Sequence, residues 1–192
     1  MSRASFILRG AMTAGAVYGA TAVGPYVGNA LAASGSGDVD ILNFALTLEY
    51  LESTFYAEAK SRAKASGELK ALIELLSKDE QQHVEALTGT IKKLGGKPAP
   101  EPKAEFPLKS AKSVLELAAT VENLGAAAYL GQAANIESPE VLASALAIHS
   151  VEGRHAATLN TLLGESVTPD GAFAVPADVQ TVLKSVEPFI VG

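Results

Sequence analysis

Two Glu-x-x-His pairs, Glu80–His83 and Glu152–His155, stand 72 residues apart in this chain. Each is preceded by a Glu with a Tyr seven residues on, Glu49–Tyr56 and Glu122–Tyr129, and these two units stand 73 residues apart. Side chains at i and i+3 of a helix project to one side of a turn and can reach one ion. Carboxylate and imidazole donors without thiolate suit iron or manganese. A single Glu-x-x-His is a weak signal, since surface helices carry such pairs by chance. Two copies in register, each with a matching Glu upstream, are what a two-metal site needs: one Glu from each of two helices and Glu-x-x-His from two others.

The elements that must position these residues are helices. From Asp38 on, apolar residues recur at spacings of three and four. The expected helices run from Asp38 or Asp40, as N-cap, to about Ala65; from about Glu68 to Leu94, stopped at Gly95-Gly96; from about Ser110 to Asn135; and from Ser138-Pro139 to Gly164. A short fifth helix is expected over Pro176 to Val186. No segment alternates long enough to build a sheet. The inward stripe of the second helix reads Leu69, Ile73, Leu76, Glu80, His83, Leu87, Ile91, Leu94, and that of the fourth Ala145, Ile148, Glu152, His155, Leu159, Leu162. The first carries Ala45, Glu49, Glu52, Tyr56 and the third Ala118, Glu122, Gly125, Tyr129.

Every stripe is thus apolar except at one level. Burying an unpaired carboxylate costs many kcal/mol, and two His cannot offset four Glu. Arg62, Arg154 and the lysines fall mostly on other faces. Two divalent ions supply four positive charges against four carboxylates, with neutral imidazoles completing the shells.

Connections set the topology. Two or three residues join the first helix to the second and the third to the fourth, so each pair is an antiparallel hairpin. Between the hairpins lie the fifteen residues Gly95 to Lys109, stiffened by Pro98, Pro100, Pro102 and Pro107. Extended, such a segment reaches roughly 50 Å, more than the roughly 38 Å of a 25-residue helix. It can run the full length of a bundle and start the third helix parallel to the second. The expected fold is all-α, a four-helix bundle over residues 38–165 with one long central crossover, followed by a tail over 166–192 with a short helix.

Residues 1–37 differ in character. Arg3 and Arg9 stand in a segment without acids, Ala11 to Gly28 is apolar and rich in Gly and Ala, and Asn29-Ala30-Leu31-Ala32-Ala33 offers a small-x-small cleavage site after Ala32. That order is the order of an export signal, with Ser34-Gly35-Ser36-Gly37 as a flexible leader. Ser2 to Gly10 resembles a twin-arginine signal, with Ala4 where the second arginine would stand. Gly24-Pro25 and the weak hydrophobicity argue against a stable membrane span. Removal of residues 1–32 takes two Arg and leaves 13 basic against 21 acidic residues, a net charge of −8. A negative chain excludes nucleic acid as a partner, since phosphate binding needs a basic patch. The absence of Cys excludes disulfides, thiolate metal sites and cysteine catalysis.

Glu49, Glu80-x-x-His83, Glu122 and Glu152-x-x-His155 resemble the di-iron carboxylate set of the ferritin-like superfamily. Leu42 to Tyr56 and Asp79-Glu80-Gln81-Gln82-His83-Val84 are similar to the exported branch that includes desiccation-related proteins. The resemblance implies that Glu80 and Glu152 bridge two Fe or Mn ions, with Glu49, Glu122, His83 and His155 as terminal ligands. It implies further that Asp79 holds the opposite His, a role for which Val151 is the wrong residue in the other repeat. Glu52, one turn from Glu49, could replace it as ligand or serve as a further carboxylate; the repeat favours Glu49. Tyr56 and Tyr129 are expected as core residues with hydrogen-bonded hydroxyls, and His149, without a repeat partner, as a satisfied or surface residue. No residue is singled out as catalytic.

The function expected on this reading is an exported two-metal protein reacting with O2 or peroxide in iron handling or in oxidative or desiccation stress, as a ferroxidase or manganese catalase would. The rival reading is a non-catalytic structural or stress-protective bundle at the cell envelope. A many-subunit storage cage does not suit the leader, the crossover and the tail. The apolar series Phe173, Val175, Val179, Val182, Leu183 and Phe189 is expected to cover a bundle end or to mediate a homodimer.

Overall fold

A computed structural model describes residues 37–62 and 65–191. The expected export signal, residues 1–32, and the leader up to Ser36 lie outside the described residues. Helices α1 (Asp38–Arg62), α2 (Gly67–Lys93), α3 (Ala111–Gln132) and α4 (Pro139–Leu162) form the bundle, and α5 (Val179–Val186) follows in the tail. Single 3₁₀ turns extend α3 over Ala133–Asn135 and α5 over Glu187–Phe189. The described residues contain no strand, only an isolated antiparallel bridge between Ala104 and Ile190. No described helix is long and apolar enough to cross a membrane.

Local chemistry sets the helix ends. Ser110 caps α3 in a reciprocal box with Ser113, and the Ser138 hydroxyl accepts from the Val141 amide, with Pro139 at the first helical position. Gly95 (φ 78°) and Gly164 (φ 71°) end α2 and α4 in the left-handed conformation that Gly reaches without a Cβ penalty. At each stop two amides bond back: Gly95 and Gly96 to the Lys92 and Ile91 carbonyls, Gly164 and Glu165 to those of Thr161 and Asn160. Asp38 corrects the expectation for α1. It is the first helical residue rather than the cap, and its carboxylate accepts the Glu137 and Ser138 amides (2.8 and 2.9 Å), tying the α3–α4 turn to the start of α1.

α1 packs chiefly on α2 and α3 on α4, with α1 also against α3 and α2 against α4. The crossover climbs along α1: Asn43 bonds the Lys97 carbonyl and the Ala99 amide, and Thr54 donates to Glu101. α2 therefore ends beside the start of α1, where α3 also ends, so α2 and α3 run parallel, as the crossover's length allows.

The tail lies along the bundle's flank rather than over an end. The Ala177 amide donates to the Ala127 carbonyl, the Glu105 amide to that of Phe189, and the Val191 amide to that of Lys103. Phe106 lies between Phe55 and Phe189, each ring 5.3 Å away. Val182, Leu183, Val186, Phe189 and Ile190 are buried, and each fully buried aliphatic side chain stabilises by roughly 1.5–3 kcal/mol. Phe173 and Val175, placed in the same apolar series by the sequence, are exposed, because the chain turns at Gly171 (φ 92°) before it reaches α3. Leu94 and Leu162 also stand exposed: Leu94 is the C-cap just past α2, and Leu162 is the last residue of α4.

Apolar side chains fill the bundle on both sides of one polar layer. Phe55, Ile73, Leu76, Val114, Ala118 and Leu159 lie on one side; Leu42, Leu46, Leu87, Ile91, Val141 and Ile148 lie on the other.

Candidate metal centre

The polar layer consists of the residues that interrupt the stripes. Glu49, Glu80, Glu122 and Glu152 are fully buried, and His83 and His155 retain under a tenth of their exposure. Two groups of four result: Glu49, Glu80, His83 and Glu152, and Glu80, Glu122, Glu152 and His155, the donor atoms of each lying within 4.8 Å of one another. Three carboxylate oxygens converge on Nδ1 of His83: Glu49 Oε2 at 3.2 Å, Glu80 Oε2 at 3.0 Å and Glu152 Oε1 at 2.9 Å. Three converge likewise on Nδ1 of His155: Glu80 Oε1 at 3.1 Å, Glu122 Oε2 at 3.2 Å and Glu152 Oε2 at 3.8 Å.

These separations suit metal ligands better than hydrogen bonds. One ring nitrogen carries at most one hydrogen and cannot donate well to three acceptors. Donors about 2.1 Å from a common divalent ion lie about 3.0 Å apart at neighbouring octahedral corners and about 3.4 Å apart at tetrahedral ones. Five of the six nitrogen–oxygen separations, 2.9 to 3.2 Å, are those of neighbouring ligands on one ion. Glu80 and Glu152 each turn one oxygen toward His83 and the other toward His155. Glu80 Oε1, Glu49 Oε2 and both oxygens of Glu152 are buried without a well-formed hydrogen bond, a costly state for protein alone. The cluster can hold metal ions.

The terminal carboxylates are steered by the tyrosines, and across the bundle. The Tyr129 hydroxyl of α3 donates to Glu49 Oε1 of α1 (2.6 Å), and the Tyr56 hydroxyl of α1 donates to Glu122 Oε1 of α3 (2.5 Å). Each Glu thus has one oxygen held and turns the other toward the cluster. The expectation of hydrogen-bonded core tyrosines is met; the exchange of partners between repeats was not visible in the sequence. Asp79 Oδ2 lies 3.4 Å from Nε2 of His155, the opposite His. Val151 gives His83 no such group, so the two halves differ. His149 is satisfied by the Ala126 carbonyl at 3.0 Å and takes no part.

Titration behaviour follows from packing charge into a small dry space. Burial raises Glu49 to about 7 against the opposing hydrogen bond from His83. Burial holds Glu152 well above the carboxylate range, and burial with repulsion from Glu152 and Glu49 does the same to Glu52. Burial also acts on Glu80, but hydrogen bonds with His155 and His83 outweigh it and hold the group at about 2. Burial disfavours the His83 cation, yet the carboxylates of Glu152, Glu49 and Glu80 push it up to about 12. Glu122 and Glu80 bring His155 to about 10 by the same balance. Burial and the facing carboxylates raise both tyrosines, which remain protonated donors. The metal-free cluster is thus a knot of imidazolium, carboxylate and carboxylic acid, in which protons stand where cations would.

Glu52 is almost fully buried beside this layer but belongs to neither group of four. Arg62, which could have offset the charge, pairs instead with Glu58 on the surface.

Residues 37–165 match the ferritin-like domain family, and the chain belongs to that family. Among solved structures it is similar to a conserved hypothetical protein from Mycobacterium tuberculosis, at 19% identity and a TM-score of 0.62, over 75% of this chain and 97% of that one. That likeness is one of fold. No curated protein matches the sequence.

Proposed function

We propose that this ferritin-like protein binds two divalent ions, iron or manganese, and works on O2 or peroxide with them. The observation that carries the reading is the pair of shared carboxylates: Glu80 and Glu152 each face both imidazoles, at 2.9 to 3.1 Å in three of the four cases and at 3.8 Å in the fourth. Glu49 and His83 would complete one shell and Glu122 and His155 the other. Bound iron or manganese supplies the electrons for reducing O2 or peroxide, which no side chain here can give.

The protein's part is position and charge. Tyr129 and Tyr56 hold one oxygen of Glu49 and of Glu122 and leave the second free for an ion. Asp79 would accept from Nε2–H of His155 and, once an ion has displaced the Nδ1 proton, hold the ring with Nδ1 toward that ion. The apolar layers on either side keep bulk water from the reacting groups. Anaerobic loading with Fe(II) followed by exposure to O2 tests the reading. Two iron per chain and O2 uptake in proportion to iron are expected, and Glu80→Ala should abolish both. Iron uptake without O2 consumption would favour a purely structural role.

We also read residues 1–32 as removed on export, on the charge and hydropathy order of that segment. N-terminal sequencing of protein from its native cells should begin at Ala33; a start at Met1 or Ser2 contradicts this.

A further inference from the structure

Glu52 and Gly125 occupy equivalent places in the two repeats, three residues after Glu49 and Glu122. The Glu52 side chain reaches across to its counterpart: a Cβ at position 125 would lie 2.8 Å from Glu52 Oε1. The missing side chain on α3 is thus the space that the Glu52 carboxylate uses. Glu52 is 4% exposed, and its Oε2 has no hydrogen-bond partner. Buried carboxylates in that condition are rare and call for a reason.

The surroundings supply one. A pocket opens on the α1/α3 flank beneath the tail, walled by Leu51, Phe106, Val121, Leu124, Val186 and Phe189, and Glu52 is the one polar side chain lining it. The shared carboxylates Glu80 and Glu152 approach the cluster from α2 and α4. Glu52 lines the pocket from α1, one turn on from Glu49, and faces Gly125 of α3, one turn on from Glu122.

We propose that Glu52 is a gate: a carboxylate that occupies the α1/α3 approach to the two-metal site and must be displaced by a small uncharged molecule, of the size of O2 or peroxide, arriving through the apolar pocket. The proposal rests on the two-metal reading of the site. It assigns Glu52 a positioning role distinct from the six ligands, and it assigns the tail residues Val186 and Phe189 the roof of the entry path. Apolar walls favour small uncharged molecules over hydrated ions. Gly125 is required because any larger residue would push the gate from its place.

Nitric oxide is the probe, as a neutral diatomic that forms a coloured adduct with Fe(II). Full-length wild type, Glu52→Ala and Leu124→Phe are loaded with Fe(II) without oxygen, assayed for iron per chain, and mixed with nitric oxide in a stopped-flow instrument. All three should hold two iron, and circular dichroism should report the same helix content. Glu52→Ala should form the adduct roughly tenfold faster, the factor matching about 1.4 kcal/mol of competing interaction removed. Leu124→Phe, which narrows the pocket without touching the ligands, should form it more slowly and reach the same final amplitude. Equal rates in all three proteins overturn the gate and leave the metal reading standing. Loss of one iron in Glu52→Ala also overturns it, since Glu52 would then be a required ligand. A wild type that takes up no iron overturns the metal reading and the gate together.

Discussion

Without metal, this bundle should lose stability as the pH rises from 4.5, the reverse of what a protein with ion-paired carboxylates would do. Glu49 carries the effect most plainly. Its carboxyl ionises near 4.5 in the unfolded chain and near 7 in the folded one. Between those values the unfolded chain has lost the proton and the folded chain keeps it, so raising the pH favours unfolding. A raised carboxylate pKa means stability fully present below 4.5 and lost as pH climbs through 7. The difference, at about 1.4 kcal/mol per pH unit, amounts to about 3 kcal/mol. For a domain of this size that is a fall in Tm of about 10 °C.

His155 and His83 extend the decline. With folded values of about 10 and 12 against 6.5 unfolded, their stabilisation is complete below 6.5 and fades above it. Glu80 sets the acid side: held at about 2, its contribution is present above 4.5 and lost as pH falls through 2. Bound metal should reverse the slope, because cations would replace the protons and bind more tightly as the protons leave. Thermal unfolding by circular dichroism in a chelator, at pH steps from 4.5 to 9, gives the first curve, and the same scan with excess Mn(II) gives the second. A chelated protein whose Tm is flat or rises from pH 4.5 to 7 would refute the reasoning, as would a gain from Mn(II) that does not grow with pH.

Other consequences are sharper in single residues. Glu80→Ala removes a carboxylate that faces both imidazoles and should reduce bound metal from two ions per chain to near none, whereas Glu49→Ala should leave one; elemental analysis after gel filtration separates the two. Asp79→Asn should weaken one of the two ions by roughly 10–100-fold and leave the other unchanged, giving a biphasic titration by calorimetry. Gly131→Ala places a methyl group against the Ala177 carbonyl and should lift the tail from α3. The expected cost is about 1–3 kcal/mol, seen as a lower Tm and faster proteolysis near Ala177.

Much of this was written in the chain. The interruption of four apolar stripes at one level located the site, and the 72- and 73-residue repeats paired its halves. The Gly stops after α2 and α4 and the Ser138-Pro139 start of α4 were legible because capping is local chemistry. What periodicity gives is a face, not a partner. It put Tyr56 and Tyr129 inside, but which carboxylate each serves depends on how α1 and α3 cross. Asp38 had the residue type of a cap, yet the turn before α4 came close enough to claim its oxygens. The tail's route was invisible for the same reason: Phe189 read as apolar, and only the folded chain shows that it walls the pocket beside Glu52 and that Phe173 does not join it. Glu52 itself was ambiguous in sequence. The burial of a fifth carboxylate opposite a glycine is a fact of three dimensions.

On the proposed reading, Glu80 and Glu152 are held together by a pair of cations. Anomalous diffraction from crystals soaked in Mn(II) tests it most directly. Two peaks per chain, one among Glu49, Glu80, His83 and Glu152 and the other among Glu80, Glu122, Glu152 and His155, are the predicted result. An absence of peaks between those carboxylates, with the manganese found only at surface acids, would contradict it.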